Sequence, residues 1–187
     1  IDLTKPFDVE KIERKETLKT GILNSERLKL LPEVTRFRDL RNEFNIPVLM
    51  VNVEKDSNYS KRSLITGMLE ANVSELFSVV MLFNHGADLN DLFTVFWLLG
   101  GNLEPMRDVT IENDKTGNEV VFVDATFKTE NHDNFKRDWP NVVTMNAETI
   151  DKVDKRWPEL GLGEFVASPS MKYLPLVKGE GAVRNQE

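Results

Sequence analysis

Residues 88–108 read DLNDLFTVFWLLGGNLEPMRD. Asp88 is an acidic residue suited to cap a helix by accepting a free backbone N–H. Asp91 follows three residues later, where a carboxylate faces the positive end of the helix dipole. Leu92, Phe93, Val95, Phe96, Trp97, Leu98 and Leu99 come next, with Thr94 the polar exception. A helix that is apolar on nearly every side is expected to be covered on nearly every side. Gly100 and Gly101 are expected to supply the left-handed residue that stops it, and Pro105 to block its resumption. The rest of the chain is expected to pack around this helix.

Upstream of it, Val48, Leu49, Met50, Val51 and Val53 form a dense apolar run of strand length. Runs without alternation predict a strand covered on both faces. Asp56, Ser57, Asn58 and Ser60 then offer caps, and Leu64, Ile65, Met68, Leu69 and Leu76 repeat at helical spacing. A second buried strand, Val79 to Phe83, leads through the turn Asn84-His85-Gly86-Ala87 into the central helix. Beyond that helix, Val109 and Ile111 predict a third strand. Strand, helix, strand, helix, strand at this spacing is a parallel sheet with right-handed crossovers. Asn113 to Asn118 reads as a hairpin loop, with Gly117 supplying positive φ, and Val120 to Val123 as an antiparallel addition. The expected fold class is α/β. It has a mixed, mainly parallel sheet with helices on both faces, followed by a hairpin, a helix and an extended tail.

Further out, Asn24 or Ser25 starts a short helix that Pro32 ends. Val34, Phe37 and Leu40 read as an irregular strand, and residues 41–45 as a turn. Residues 127–141 are polar loop broken by Phe135 and Trp139. Asn146 caps a last helix in which Ile150, Val153, Trp157 and Leu160 share one face, and Pro158 ends or kinks it near Arg156. The tail holds Met171, Tyr173, Leu174, Leu176 and Val177. A mobile tail has little reason to carry them, so it is expected to dock on a neighbouring subunit or domain. The expected division is residues 1–20 as a linker or arm, 21–166 as the α/β domain and 167–187 as the tail.

A chain of 187 residues suits one domain with extensions. Its net charge of −7 repels phosphate and argues against a nucleic-acid partner. No apolar run approaches the ~20 residues of a membrane span. Cysteine is absent, which excludes disulfides and thiolate metal sites and makes a cytoplasmic location the simplest expectation. The sequence begins at Ile1, and we expect a fragment of a longer protein.

Candidate chemistry is sparse. There is no GxGxxG and no GxxxxGK[ST], so no dinucleotide or phosphate loop is signalled. His85 ends a parallel strand, where α/β sheets place ligands. With Asp88 and Asp91 it makes either a metal site or a loop histidine beside two helix-start aspartates. Glu54 and Asp56 end another strand, either like the acidic pocket of a phosphoacceptor receiver domain or as plain caps. Lys61-Arg62 begins a helix, where the dipole disfavours positive charge. The pair either seeks an anionic partner across an interface or is solvated. Asp124 either bonds the backbone of the loop that follows it or has a functional role. Trp97, Trp139 and Trp157 read as core or interface. Lys61, Arg62, Trp157, Tyr173 and Leu174 are the candidate interface residues. Neither catalytic, nor cofactor-binding, nor metal-ligating residues can be assembled from these residues alone.

The ordered motifs carry a resemblance. Pro32-Glu33-Val34, Ser60-Lys61-Arg62, Asp91 with Trp97, Pro105, Arg107 and Asp108, then Asp124-Ala125-Thr126 with Lys128 and Trp139, and finally Ile150, Asp154 and Trp157 stand in one order along residues 21–162. In that order they resemble the C-terminal third of UbiD-type carboxy-lyases, the 3-octaprenyl-4-hydroxybenzoate carboxy-lyase type. The resemblance implies a decarboxylase of aromatic, hydroxybenzoate-like acids in ubiquinone or menaquinone biosynthesis. Its prenylated FMN, divalent metal and catalytic residues would lie in an upstream domain, with none in this part. It also implies that this part serves oligomerisation and closes as a lid. Two departures stand out. The family's Thr-Thr-Arg after the helix is Gly100-Gly101-Asn102 here, and the loop before Asp-Ala-Thr is a short hairpin over residues 109–123. The alternative is a free-standing, non-catalytic α/β binding or signalling module, suggested by Glu54, Asp56 and His85.

Overall fold

The computed structural model describes residues 21–184. The expected linker or arm over residues 1–20 lies outside them. In chain order the elements are α1 (Ser25–Lys29), β1 (Val34–Asp39), α2 (Leu40–Phe44), β2 (Val48–Val53), α3 (Lys61–Glu70), α4 (Val73–Leu76) and β3 (Val79–Asn84). Then come α5 (Leu92–Asn102), α6 (Pro105–Asp108), β4 (Val109–Asn113), β5 (Glu119–Asp124), α7 (Glu130–Asp133), α8 (Ala147–Arg156) and α9 (Ser170–Tyr173).

One five-stranded sheet has the order β1-β2-β3-β5-β4. The pairs β2–β3 and β3–β5 are parallel, and the two outer pairs are antiparallel. The mixed, centrally parallel sheet of the sequence reading is therefore present. Its strands are assigned differently, however. The third parallel strand is β5, while β4, expected in that place, is the antiparallel edge. Burial explains the exchange. Val120 and Phe122 of β5 are buried, whereas Ile111 of β4 is 59% exposed, and a central strand needs cover on both faces.

The alternation of β2 divides the core. Leu49, Val51 and Val53 face a cluster with Leu64, Ile65 and Met68 of α3, Val73 and Leu76 of α4 and Leu28 of α1. Met50 faces the other side, with Phe83, Val95 and Leu98 of α5, Phe127, Trp139 and Leu176. Helices thus lie on both faces. Asn52 of β2 is buried and donates to the carbonyls of Asn84 (2.8 Å) and Ala87 (3.1 Å), fixing the turn into α5. Asn84 Oδ1 in turn accepts from the Phe127 N–H at 2.6 Å.

Several local expectations are corrected. The residue capping α5 is Asp91, whose carboxylate accepts from Phe93 N; Asp88 accepts from Asn90 N one turn earlier. Gly100 and Gly101 do not stop the helix. Neither has positive φ, and α5 runs through both to Asn102, whose amide donates to the Ala125 carbonyl at 2.8 Å. Pro105 opens α6 instead of merely blocking α5, because its missing N–H costs nothing at a first helical position. Residues 40–44, expected as strand end and turn, form α2.

The tail does not remain extended, and it docks on its own chain. Leu176 is 1% exposed within the second core cluster. Lys172 pairs with Asp91 at 2.7 Å, and the Arg184 N–H donates to the Trp139 carbonyl at 2.9 Å. Gly86 makes room for this. Its φ is +92°, and a Cβ there would meet the Pro175 carbonyl oxygen at 2.5 Å.

Candidate functional site

Charged residues from three of the ordered motif segments converge on one buried ion cluster at the carboxyl end of β5. Asp124 is its last residue. Asp108 closes α6 just before β4, and the antiparallel register Val109↔Val123 brings the two aspartates to the same end of the sheet. Lys128, fully buried, reaches Asp124 Oδ1 at 2.9 Å and Asp108 Oδ1 at 3.3 Å. It also donates to the Asp124 carbonyl at 2.9 Å. Lys61, at the start of α3, meets Asp124 Oδ2 at 2.5 Å. The Thr126 N–H and hydroxyl donate to Asp124 Oδ1 at 3.0 and 2.5 Å. Arg107 grips Asp108 bidentately, Nε at 2.8 Å and Nη2 at 2.6 Å, and lies over the rings of Phe135 and Trp139. Nearby, Lys55 bridges both Asp133 oxygens at 3.0 and 2.9 Å.

Burial by itself would raise the Asp124 carboxyl. The ammonium groups of Lys128, Lys55 and Lys61 outweigh it and hold that carboxyl far below the usual carboxylate range. Burial also opposes ionisation of Asp108, and the Arg107 and Glu104 N–H bonds with the Lys128 charge again lower its pKa. For Lys55 burial dominates and lowers the ammonium below the ordinary lysine value, against the attraction of Asp124 and Asp133. Such a cluster locks its carboxylates ionised and offers no carboxyl acid for chemistry near neutral pH. It fastens α3, α6, β5 and the loop after β5 to one another.

The linkage has a definite sign. A carboxyl with a depressed folded pKa stabilises the fold above the unfolded value, about 3.9, and that contribution fades as pH falls below it. Urea unfolding midpoints are therefore expected to hold from pH 7 to about 5 and to drop steeply below about 4. Asp124→Asn should flatten the acid limb, whereas an equally steep limb in that variant would exclude the cluster as its source.

The other candidates disperse. His85 Nδ1 lies 3.2 Å from Thr35 Oγ1 and 3.6 Å from Glu54 Oε2, so it faces β1 and β2 instead of meeting Asp88 and Asp91. Asp56 is used by its own turn, accepting from Asn58 N. Among the described residues no three His, Cys, Asp or Glu side chains are grouped to hold a metal ion. At the carboxyl edge of β2, β3 and β5, Glu54, Lys55, His85 and His132 line a cavity of about 90 Å³.

Of the candidate interface residues, Lys61 and Arg62 find their carboxylates within the chain, on Asp124 and Glu112. Trp157 donates to the Gly163 and Glu164 carbonyls. Tyr173 stacks edge-on against Trp97 at 5.5 Å, and Leu174 is partly exposed. The central helix is the largest departure. Its inward side buries Val95 and Leu98, but Phe93 is 70%, Phe96 66% and Trp97 44% exposed. Leu92 joins them on that face. The expectation that α5 is covered all round therefore fails within this chain.

Sequence reasoning missed Lys128 and Asp108 as cluster members. A signal existed, since Lys61, Arg107, Asp108, Asp124 and Lys128 are five of the nine charged positions of the ordered motifs.

No family model matches the chain. Among curated relatives, an uncharacterised protein of Aquifex aeolicus is 32% identical over 94 residues, covering 44% of this chain and 19% of that protein. One of Archaeoglobus fulgidus is 31% identical over 107 residues, 51% of this chain and 21% of its own length. The chain therefore spans about a fifth of the curated relatives it matches. Among solved structures, the vanillic acid decarboxylase of Sedimentibacter hydroxybenzoicus in closed form superposes with a TM-score of 0.55 at 14% identity, over 74% of this chain and 31% of that one. Its open form gives 0.51 at 14% identity and the same coverage. The UbiD-class enzyme HmfF of Pelotomaculum thermopropionicum, an evolved dimeric form in complex with prFMN, gives 0.46 at 21% identity over 68% of this chain and 26% of that one. The chain shares the fold of the vanillic acid decarboxylase over most of its own length. Among the described residues no helix is long and apolar enough to cross a membrane.

Proposed function

We propose that residues 21–166, with the tail folded onto them, form the C-terminal oligomerisation and lid domain of a UbiD-like decarboxylase. In this reading the full protein acts on an aromatic, hydroxybenzoate-like acid in cytoplasmic quinone biosynthesis. Prenylated FMN and a divalent metal belong to another domain of the same polypeptide. The observation that carries the reading is the cluster. Charged residues of three separate motif segments, Lys61, Arg107-Asp108 and Asp124 with Lys128, meet in one buried network on a fold shared with a vanillic acid decarboxylase. Of the residues that suggested a self-contained signalling module, Glu54 and His85 stand 3.6 Å apart and line one cavity, while Asp56 is held in its own turn.

The test compares two proteins. The 187-residue chain is expected to bind no prenylated FMN and to release no CO2 from hydroxybenzoates. The protein of the complete reading frame is expected to do both. Flavin binding and turnover by the short chain, or their absence from the complete protein, would overturn the assignment.

A further inference from the structure

The outward face of α5 repeats in three layers: Leu92 with Phe93, Phe96 with Trp97, and Gly100 with Gly101. The first two layers are bulky and stay largely exposed, although Lys172 lies over the Phe93 ring and Tyr173 against Trp97. The third is bare, and its composition has no cause inside the chain. Neither glycine has positive φ, and a Cβ on either would meet nothing within 4 Å. Glycine inside a helix costs about 1 kcal/mol relative to alanine, so two in succession are unfavourable for the isolated chain. Their use is to let another backbone come close.

The layers are self-complementary. Turn a second α5 antiparallel about a two-fold axis between Phe96 and Trp97. Phe93 of one copy then stands opposite Gly100 of the other, Leu92 opposite Gly101, and Phe96 opposite Trp97. Knobs meet holes on both sides, the isologous pattern of a two-fold dimer. Electrostatics agree. None of the six α5 residues on this face is charged in a chain of net −7, and the Lys172 ammonium over Phe93 is paired with Asp91; antiparallel helix dipoles also attract. The turned copy also brings the helix start, where Lys172 sits on Asp91, to the helix end, where Glu104 is exposed. Area agrees as well. At roughly 150–250 Å² per aromatic side chain, the uncovered fractions of Phe93, Phe96 and Trp97 leave on the order of 400 Å². Leu92 and Val143, which is 83% exposed beside the same groove, extend this toward the ~800 Å² per partner of a standard interface.

We propose that α5 is a homodimer interface, pairing antiparallel with α5 of a second copy through Phe93 against Gly100. This deepens the oligomerisation role proposed above and rests on it. Because the chain has no cysteine, engineered disulfides report without background. Equal amounts of Phe93→Cys and Gly100→Cys chains, mixed and oxidised, should give a cross-linked heterodimer. Each alone should not cross-link, since like positions lie about 10 Å apart along the axis, beyond disulfide reach. In sedimentation the parent should weigh twice 21.4 kDa. Phe96→Asp should weaken the dimer at least about thirtyfold with an unchanged circular dichroism spectrum, the side chain being two-thirds exposed in the monomer. A dimer that survives Phe96→Asp, or a Phe93→Cys chain that cross-links to its own kind, overturns this face while leaving the oligomerisation role standing. A monomeric parent overturns both.

Discussion

Replacing Lys128 with alanine is expected to cost about 3–5 kcal/mol in urea unfolding, because removing one partner of a buried ion pair strands the other. Lys128 has no exposed surface and stands between two carboxylates that are themselves almost wholly buried. Without it Asp124 keeps Lys61, but the positive charge between Asp124 and Asp108 is gone. Against the 5–15 kcal/mol that holds a typical domain together, such a loss would leave the variant near its folding limit. A surface pair gives the contrast. Lys29 with Glu26 is largely exposed at both ends, and Lys29→Ala should change stability by less than about 1 kcal/mol. Lys128→Met combined with Asp124→Asn should recover part of the loss, since Arg107 still neutralises Asp108. A single Lys128→Ala cost under about 1 kcal/mol would mean that water enters the cluster and that its burial has been misjudged.

Leu176→Ala is expected to cost about 2–5 kcal/mol, the range for a buried leucine whose site cannot fully collapse. The prediction follows from the tail's position. Leu176 inserts beside Phe127, Trp139, Ala87 and Leu89 in the cluster beneath α5. If the tail instead served a neighbouring chain, the same substitution would alter the oligomer and leave the unfolding of the monomer within about 0.5 kcal/mol of the parent. Chemical denaturation of a monomeric background such as Phe96→Asp separates the two outcomes.

Both predictions mark where the sequence was legible and where it was not. The runs at Val48–Val53 and Val79–Phe83 carry their burial in composition, and both lie buried at the sheet's centre. Ser60 and Asn146 cap the helices they were expected to cap. Strand order was harder, because β4 and β5 are both short and apolar in pattern and only the hairpin's placement against β3 decides which is central. The ion cluster joins Lys61 to Asp124 and Asp108 to Lys128. Pairs so far apart in sequence leave no local periodicity, and a charged residue in a row is read by default as solvated. The apolar helix misled in a different way. Composition gives the amount of greasy surface but not what covers it, and α5 leaves one side uncovered within the chain.

The contact between Gly86 and Pro175 ties two positions 89 residues apart into a single heritable unit. A methyl group at Gly86 would collide with the main chain at Pro175, so the tail holds that turn to glycine. Substitutions at the two should combine non-additively, as neighbours in contact do. Any rebuilt or shuffled version of this protein must exchange the turn and the tail together.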